Sequence, residues 1–495
     1  MHVLYVHQNY PAQFGHVARH LVKLGWKCTF VSRTTEGEDG GIEKIAFRLP
    51  GKPSKEAHSC ARGFESMVWQ SDGVYRALKK RPDVKPDLVV GHSGFGTTLF
   101  LPELYPDVPL INYFEYYFRP HAPGFDWWFR RDLEELGWVV PERKCLRVRC
   151  RNTMTLLDLQ QCHAAYAPTE FQRSVFPAEY QPKIRQVFDG IDRSVYHGFE
   201  EKLRATPEKR RTLKINNVEI PPDTKVVTYV SRGFESMRGF DIFVRAAKLI
   251  ARRYPNVVFV VVGTDRVEYG FDRAYIEPKR SFRQWVMARE GDLDLSKFLF
   301  VGRLKQATLA RLLAATDLHI YLTVPFILSW SLMDAMSCGA VVLGSATPPV
   351  MEMIRDGENG LLADFFDVEG LADKAVAVLK DPAGHRPLGR AAEEKIKLMY
   401  SIEAVIPQML KMYESVVNRP AIAAASALAA AATAPPAPAP PAASPAAGAI
   451  GSTPARERFG DITIADSPHM TPSAPVIAAT SPPPAANPVG GLPHR

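Results

Sequence analysis

The 495 residues contain six cysteines, at 28, 60, 145, 150, 162 and 338, and no two of them form a CxxC pair. No Cys/His group has zinc-ligand spacing, which removes the zinc-finger classes. Several of these thiols lie in apolar surroundings, so buried, reduced cysteines are expected rather than structural disulfides. Outside a C-terminal Ala-rich stretch there is no run of 18 apolar residues, and Ala421–Ala432 is too short and too weakly apolar to span a bilayer. The start, MHVLYV, has no charged n-region or apolar h-region, so no signal peptide is expected. Charge of one sign is also scarce: 61 Lys+Arg stand against 53 Asp+Glu. Without a Lys/Arg run or an RNA-binding signature, no nucleic-acid partner is expected. The small basic excess fits anionic ligands or an acidic membrane surface. A cytoplasmic location follows, with peripheral contact at the inner face of the membrane left open.

What is present is alternation. At 46% apolar and 23% charged residues the composition is that of a soluble globular chain, and the length asks for two domains plus extras. Apolar runs at 1–6, 28–31, 88–90, 110–111, 164–167 and 184–188 read as strands. Helical patterns at 14–24, 54–80 and 151–161 lie between them. A second series has strands at 225–230, 257–262, 298–301, 318–322 and 340–343, and helices at 239–253, 306–315, 330–337, 366–380 and 388–399. The expected fold class is α/β: two Rossmann-like doubly wound parallel-sheet domains facing a cleft. The expected boundaries are 1–197 for the first domain, 198–223 for a charged, proline-containing linker and 224–400 for the second domain. A crossing helix is expected over 401–419. From 420 onward 16 of the chain's 41 prolines occur among Ala, Ser and Thr, and a disordered tail is expected, with a flexible tether as its plainest role.

Parallel sheets bind ligands at the carboxyl ends of their strands. There, Arg232 and Arg238 follow the strand at 225–230 and precede a helix, where they can hold a diphosphate or simply be solvated. Ser329 and Ser331 open the helix at 330–337. Their amides can receive phosphate, or the hydroxyls only cap the helix. Asp334, one turn on, suits ribose hydroxyls or solvent. Glu115, in an aromatic stretch after a strand, is either a sugar-binding or basic carboxylate or a buried, paired one. GHSGFG at 91–96 is glycine-rich without GxGxxG order, and serves a phosphate or only a tight turn. Asp292-Leu293-Asp294 matches a DxD metal pattern but sits in a polar stretch, and no metal is expected. His7, His16, His20 and His92 read as structural or solvated. Trp127, Trp128 and Phe129 fit core or interface, with acceptor-sugar stacking or membrane contact as the other reading. The cluster Arg143, Lys144, Arg147, Arg149 and Arg151 reads as a solvated face, with anionic lipid or acceptor contact as the alternative.

Five blocks in order, NYPAQFGHVARHLVKLGW (9–26), VVGHSGFGTTLFLPELYPDVPLINYFEYYF (89–118), APTEFQRSVFPAEYQPKIRQVFDGID (167–192), SRGFESMRGFDIF (231–243) and YLTVPFILSWSLMDAMSCGAVVLGSATPPVMEMIRDGENGLL (321–362), carry a resemblance. The chain from 1 to about 418 resembles the retaining glycosyltransferases of GT-B fold, of the bacterial group 1 or family 4 type, which includes sugar transferases for cell-surface glycans. The resemblance implies a nucleotide-sugar donor on the second domain and a glycan or lipid-linked acceptor on the first. It implies that Arg232 and Arg238 hold the donor diphosphate, and that Asp334 takes the place of the ribose-binding second acid of a Glu-x7-Glu pattern. The first acid, which touches the donor sugar, falls at Phe326, which cannot accept hydrogen bonds; Ser329 takes part of that contact. The family's glycine-rich loop near the diphosphate falls at 11–15, where only Gly15 is glycine. Its polar residue on the catalytic side falls near Glu115. The implied chemistry is retention of anomeric configuration without a metal or cofactor, with leaving-group charge held by Arg232, Arg238 and helix amides. A GT-B-like sugar-nucleotide epimerase and a nucleotide-binding module without transfer activity are the alternatives.

Overall fold

The computed structural model describes residues 1–119, 133–139, 142–198, 213–215 and 218–418. The proline-rich tail and the aromatics Trp127, Trp128 and Phe129 lie outside the described residues.

Residues 3–6, VLYV, are apolar at every position, the pattern of a strand covered on both faces. Strand β1 (His2–Val6) is buried along its length and lies in the interior of the first sheet. It is followed by α1 (Gly15–Lys23), β2 (Lys27–Ser32), β3 (Glu43–Ala46), α2 (Arg62–Lys79), β4 (Leu88–His92) and β5 (Leu110–Tyr113). Then come α3 (Leu133–Glu135), α4 (Glu142–Arg151), α5 (Thr153–Gln161), β6 (Ala164–Ala167), α6 (Glu170–Ser174) and β7 (Ile184–Gln186). The strand order is β3-β2-β1-β4-β5-β6-β7, and every pairing is parallel. The order in which strands are added reverses between β1 and β4, so the connections that leave their carboxyl ends go to opposite faces and leave a crevice there.

The second sheet repeats the plan. A short antiparallel hairpin, β8 (Leu213–Ile215) and β9 (Val218–Ile220), precedes β10 (Lys225–Gly233), α7 (Phe240–Arg253), β11 (Val257–Thr264), α8 (Phe282–Arg289) and β12 (Phe298–Gly302). After them come α9 (Gln306–Ala315), β13 (Leu318–Tyr321), α10 (Trp330–Ser337), β14 (Val342–Ser345), α11 (Pro348–Met353), β15 (Leu361–Ala363) and α12 (Val368–Lys380). The order β12-β11-β10-β13-β14-β15 is again parallel throughout, with its switch point between β10 and β13. The α/β architecture with two parallel sheets is thus the one read from the sequence.

Departures from that reading are local. Strand β3, EKIA, carries two charges in four residues and gave no apolar run. The hairpin β8–β9 lies inside the stretch read as linker. The helix expected over 54–80 starts only at Arg62. Helix α13 (Pro382–Lys395) begins earlier than residue 388, because the Asp381 side chain accepts from the Gly384 amide at 2.9 Å and Pro382 fills a first-turn position that needs no donor. The last helix, α14 (Ile402–Val417), is capped by Ser401 and packs on the first sheet. There Tyr413 meets Tyr5, hydroxyl to hydroxyl, at 3.4 Å, and Met409, Met412 and Val416 join the core of β1 and α1.

Candidate functional site

The carboxyl ends of β1, β4 and β5 face those of β10 and β13 across a cleft. On the first side, β4 runs into the GHSGFG loop. Buried Asp158 of α5 fixes that loop, accepting from Ser93 Oγ and the Gly94 amide at 2.9 Å and from Thr98 Oγ1 at 3.3 Å. Gly96 has φ +77°, and a Cβ there would collide with the Met67 carbonyl. The loop is therefore a turn built around a carboxylate, with its own amide already used. His7 and His92 lie beneath it, ring to ring at 5.2 Å, and burial lowers their pKa values to about 4 and about 3. They are neutral packing groups at ordinary pH.

Glu115 follows β5 at the cleft wall. His92 Nε2 lies 3.8 Å from its carboxylate. The guanidinium groups of Arg238, Arg232 and Arg151 face it and favour its ionised form, but burial outweighs them and raises its pKa. Glu115 thus has His92 and Arg151 of its own domain beside it and feels Arg232 and Arg238 from the opposite sheet.

Those arginines behave differently. Arg238 ends a short 3-10 turn and is 5% exposed. Its Nη1 donates to Thr323 Oγ1 at 2.8 Å and to the Ile327 carbonyl at 2.9 Å, and its guanidinium stands 5.5 Å from the Tyr269 ring and 5.7 Å from the Phe326 ring. Gly239, next in line, has φ +60°, and a Cβ there would stand 2.8 Å from Leu322 Cβ, so only glycine turns the chain into α7 at this depth. Arg232, at the end of β10, is half exposed and pairs with Glu268 at 2.8 Å. The loop carrying Glu268 and Tyr269 is pinned from below by Glu235. That carboxylate is fully buried and accepts from the amides of Glu268, Tyr269 and Gly270 at 3.0, 2.8 and 2.8 Å.

Phe326 is 3% exposed and packs edge-on against Tyr116 at 4.8 Å and Tyr269 at 5.5 Å. Beside it, the Tyr116 hydroxyl donates to the Pro325 carbonyl at 3.2 Å, joining the two domains. Ser329 caps α10, accepting from the Ser331 amide at 3.3 Å, and the two hydroxyls are 3.0 Å apart. Asp334 is 9% exposed, and burial holds its carboxyl well above the usual range. Gly15 opens α1 on the facing domain, and its hydrogens lie against the Pro11 ring, where a Cβ would come within 2.8 Å. The DxD stretch serves the backbone: Asp294 accepts from the Ser296 amide at 3.1 Å, and no group of three His, Cys, Asp or Glu side chains gathers at a metal-binding spacing among the described residues.

Glu235, Glu268, Tyr269 and Asp189 were not singled out from the sequence. Glu235 lies within SRGFESMRG, between the two arginines, but nothing in the motif tells that it points inward. Asp189, in the FDGID turn, crosses the cleft to Trp330. All six cysteines are free, with Cys28, Cys162 and Cys338 buried.

Two family descriptions match: "Glycosyl transferase family 4 group" over residues 24–196 and "Glycosyl transferases group 1" over residues 210–395. The chain is 33% identical over 122 residues to an N-acetyl-alpha-D-glucosaminyl L-malate synthase of Bacillus anthracis, covering 25% of this chain and 32% of that one. It is 24% identical over 203 residues to a phosphatidyl-myo-inositol mannosyltransferase of Mycolicibacterium smegmatis, covering 40% of this chain and 46% of that one. The matches thus span less than half the length of these two relatives. Among solved structures, a sucrose-phosphate synthase from Thermosynechococcus elongatus superposes with TM-score 0.63 at 16% identity, over 86% of this chain and 100% of that one. Anabaena HepE, solved with UDP and glucose, superposes with TM-score 0.59 at 16% identity, over 84% and 100%. The chain belongs to the group 1 glycosyltransferases, and its two facing parallel sheets are the GT-B fold.

Proposed function

We propose that the protein transfers a sugar from a nucleoside diphosphate sugar to an acceptor hydroxyl, with retention of configuration at the anomeric carbon. The observation that carries this reading is the convergence of Arg232, Arg238 and Glu115 from facing strand ends. Arg232 and Arg238 stand at the end of β10, where a diphosphate would be held, and Glu115 follows β5, where an acceptor would be met. The relatives named as a synthase and a mannosyltransferase support transfer. The HepE structures, one with UDP and glucose and one with UDP-glucose, support a nucleotide-sugar donor.

The proposed step needs no covalent intermediate on the protein. The acceptor oxygen bonds to the anomeric carbon while the bond from that carbon to the β-phosphate oxygen breaks. The electron pair and the acceptor's proton go to that phosphate oxygen, on the same face, and nucleoside diphosphate leaves. Arg232, Arg238 and the first-turn amides of α10 hold the charge that develops. Asp334 holds the ribose, Ser329 and Ser331 lie by the phosphates, Gly15 lets α1 approach them, and Glu115 holds the acceptor hydroxyl. Phe326 gives the donor sugar an apolar wall. No helix of the described residues is long and apolar enough to cross a membrane. A lipid-linked acceptor in cell-surface glycan synthesis would then be met by peripheral contact.

The test is release of nucleoside diphosphate from a panel of sugar nucleotides, with product stereochemistry read by NMR, for the wild type and Arg232→Ala. Release that depends on Arg232 and yields the retained anomer supports the reading. Tight nucleotide binding without turnover, or free epimer without diphosphate release, overturns it.

A further inference from the structure

The basic cluster at 143–151 is not uniformly solvated. It lies on α4, where residues three, four and seven apart share a face. Lys144, Arg147, Val148 and Arg151 have that spacing, and all four line one pocket of about 380 Å³. Arg143 and Arg149 fall off this face; Arg147 and Arg151 are exposed, as they are, and of the basic side chains only Lys144 is set deeper. The opposite wall is apolar, with Phe64 and Met67 of α2 and Phe271 of the second domain. A smaller cavity adjoins it and shares Val148, Arg151 and Phe271. That inner cavity reaches Tyr269 and Phe326, the wall assigned to the donor sugar. The two cavities therefore share a wall, with the three cations lining the outer one.

The state of those cations points to a missing partner. Lys144 Nζ is buried and has no hydrogen-bond partner among the described residues. It lies 4.4 Å from the Phe271 ring centre and 4.6 Å from that of Tyr275, which desolvate it without accepting its protons in line. Arg151 stands 3.9 Å over the Phe118 ring. Asp272 acts electrostatically on Lys144 and Glu115 on Arg151, but none of the three cations has a carboxylate at ion-pair distance among the described residues. A buried ammonium with three unused donors is costly unless something anionic comes to it. The volume suits a small molecule or a headgroup.

We propose that this pocket holds the acceptor and selects one that bears a phosphate or carboxylate, gripped by Lys144, Arg147 and Arg151 while its apolar side lies on Phe64, Met67 and Phe271. The proposal rests on the transferase reading for the word acceptor; the charge preference of the pocket stands on its own residues. The same phosphate chemistry occurs on a free polyol phosphate and on a phosphoinositide headgroup.

The full chain is titrated by calorimetry, without donor, against matched pairs: glycerol 3-phosphate with glycerol, myo-inositol 1-phosphate with myo-inositol, and L-malate with 1,3-butanediol. At least one acid-bearing member binds about tenfold or more tightly than its neutral counterpart. Lys144→Gln with Arg147→Gln abolishes that preference, and Lys144→Arg retains it. Arg147→Gln alone, at an exposed position, keeps the test available if replacing Lys144 harms folding, and it lowers the preference. No preference in any pair, or a preference unchanged in the variants, overturns the proposal. A second arm measures nucleoside diphosphate release with myo-inositol 1-phosphate and with phosphatidylcholine vesicles with or without phosphatidylinositol. Stimulation by the soluble probe or by the phosphoinositide vesicles names the source of the acid, and either result supports the proposal. Failure of every sugar nucleotide to bind sinks the transferase reading while calorimetry still decides the pocket. Donor turnover without a charge preference sinks the pocket alone.

Discussion

The indole N–H of Trp330, at the first position of α10, donates to the carboxylate of Asp189 across the cleft at 2.9 Å. The same oxygen accepts from the Tyr113 hydroxyl at 3.4 Å. One bond therefore ties the first-domain strand ends to the helix proposed to receive the donor phosphates. Trp330→Phe keeps the ring against His16 but removes the donor. A hydrogen bond to a charged group contributes roughly 1.5–3 kcal/mol. A double-mutant cycle of Trp330→Phe and Asp189→Ala, read by denaturant unfolding, should give a coupling of about 1–2 kcal/mol. A coupling indistinguishable from zero would show that the contact holds nothing together.

Asp189 also makes a pH prediction. Burial, with Glu115 adding like charge, raises its pKa to about 7, against the indole and phenol donations that lower it. A carboxyl in the unfolded chain titrates near 3.9. Between these values the folded state binds the proton and the unfolded state does not, so stability falls as pH rises through this window and levels off above about 7. Asp189→Asn removes the titration. Its stability relative to wild type should climb between about pH 4 and 7 and then flatten. Unfolding curves at several pH values settle it, and a difference independent of pH would refute the buried-acid assignment.

Arg232 and Arg238 should separate stability from chemistry. Arg232 is half exposed, so Arg232→Ala should leave the melting temperature nearly unchanged and cut transfer roughly 10²–10³-fold, the range for losing one donor to a developing charge. Arg238→Ala should cut transfer too. It also strands the Thr323 hydroxyl and the Ile327 carbonyl, and should lower stability by about 1–3 kcal/mol. Equal melting temperatures for the two variants would show that the buried contacts of Arg238 carry no weight.

Much of this site was legible before folding, and for definable reasons. Strands such as VLYV and VVFVVV are continuous apolar runs, and a run buried on both faces cannot hide in a sequence. Arg232, Arg238, Ser329 and Asp334 fall at strand ends and helix starts, which periodicity locates. Glu235 and Asp189 were not legible as cleft residues, because inward aim depends on backbone turns, not on residue type. The α4 cluster read as a solvated face because adjacent basic residues look alike in sequence. Only the helical register separates Lys144, with its buried ammonium, from exposed Arg143. Phe326 was located, but its aromatic surroundings come from segments 57 to 210 residues away and have no local signal.

Those surroundings make the Phe326 position resistant to reversion. Installing the acid that the family pattern has there, Phe326→Glu, removes a ring packed on Tyr116 and Tyr269 and puts a carboxylate at a site 3% exposed. Loss of a buried Phe alone costs about 3–5 kcal/mol, and Arg238 nearby offsets only part of the added desolvation. The variant should unfold at markedly lower denaturant and not gain turnover. Higher transfer with unchanged stability would mean that the aromatic wall is dispensable.

Glu235 sets the last test, because it acts on the donor only through a loop. One of its oxygens accepts three consecutive amides, at 268–270, and that loop presents Glu268 to Arg232 and Tyr269 to Arg238. Glu235→Ala leaves those amides without their acceptor in a buried setting, at a cost of about 1–3 kcal/mol for each one that finds no water. The loop should open locally rather than unfold the domain. Amide exchange at 268–270 should then speed up, and the donor KM should rise several-fold with a smaller change in kcat. Glu235→Gln keeps an acceptor oxygen of the same reach, so it should restore slow exchange and most of the donor affinity. If Glu235→Gln fails like the alanine variant, the carboxylate's charge matters in itself. If neither variant changes exchange at 268–270, the loop is held by its other contacts and Glu235 has no positioning role.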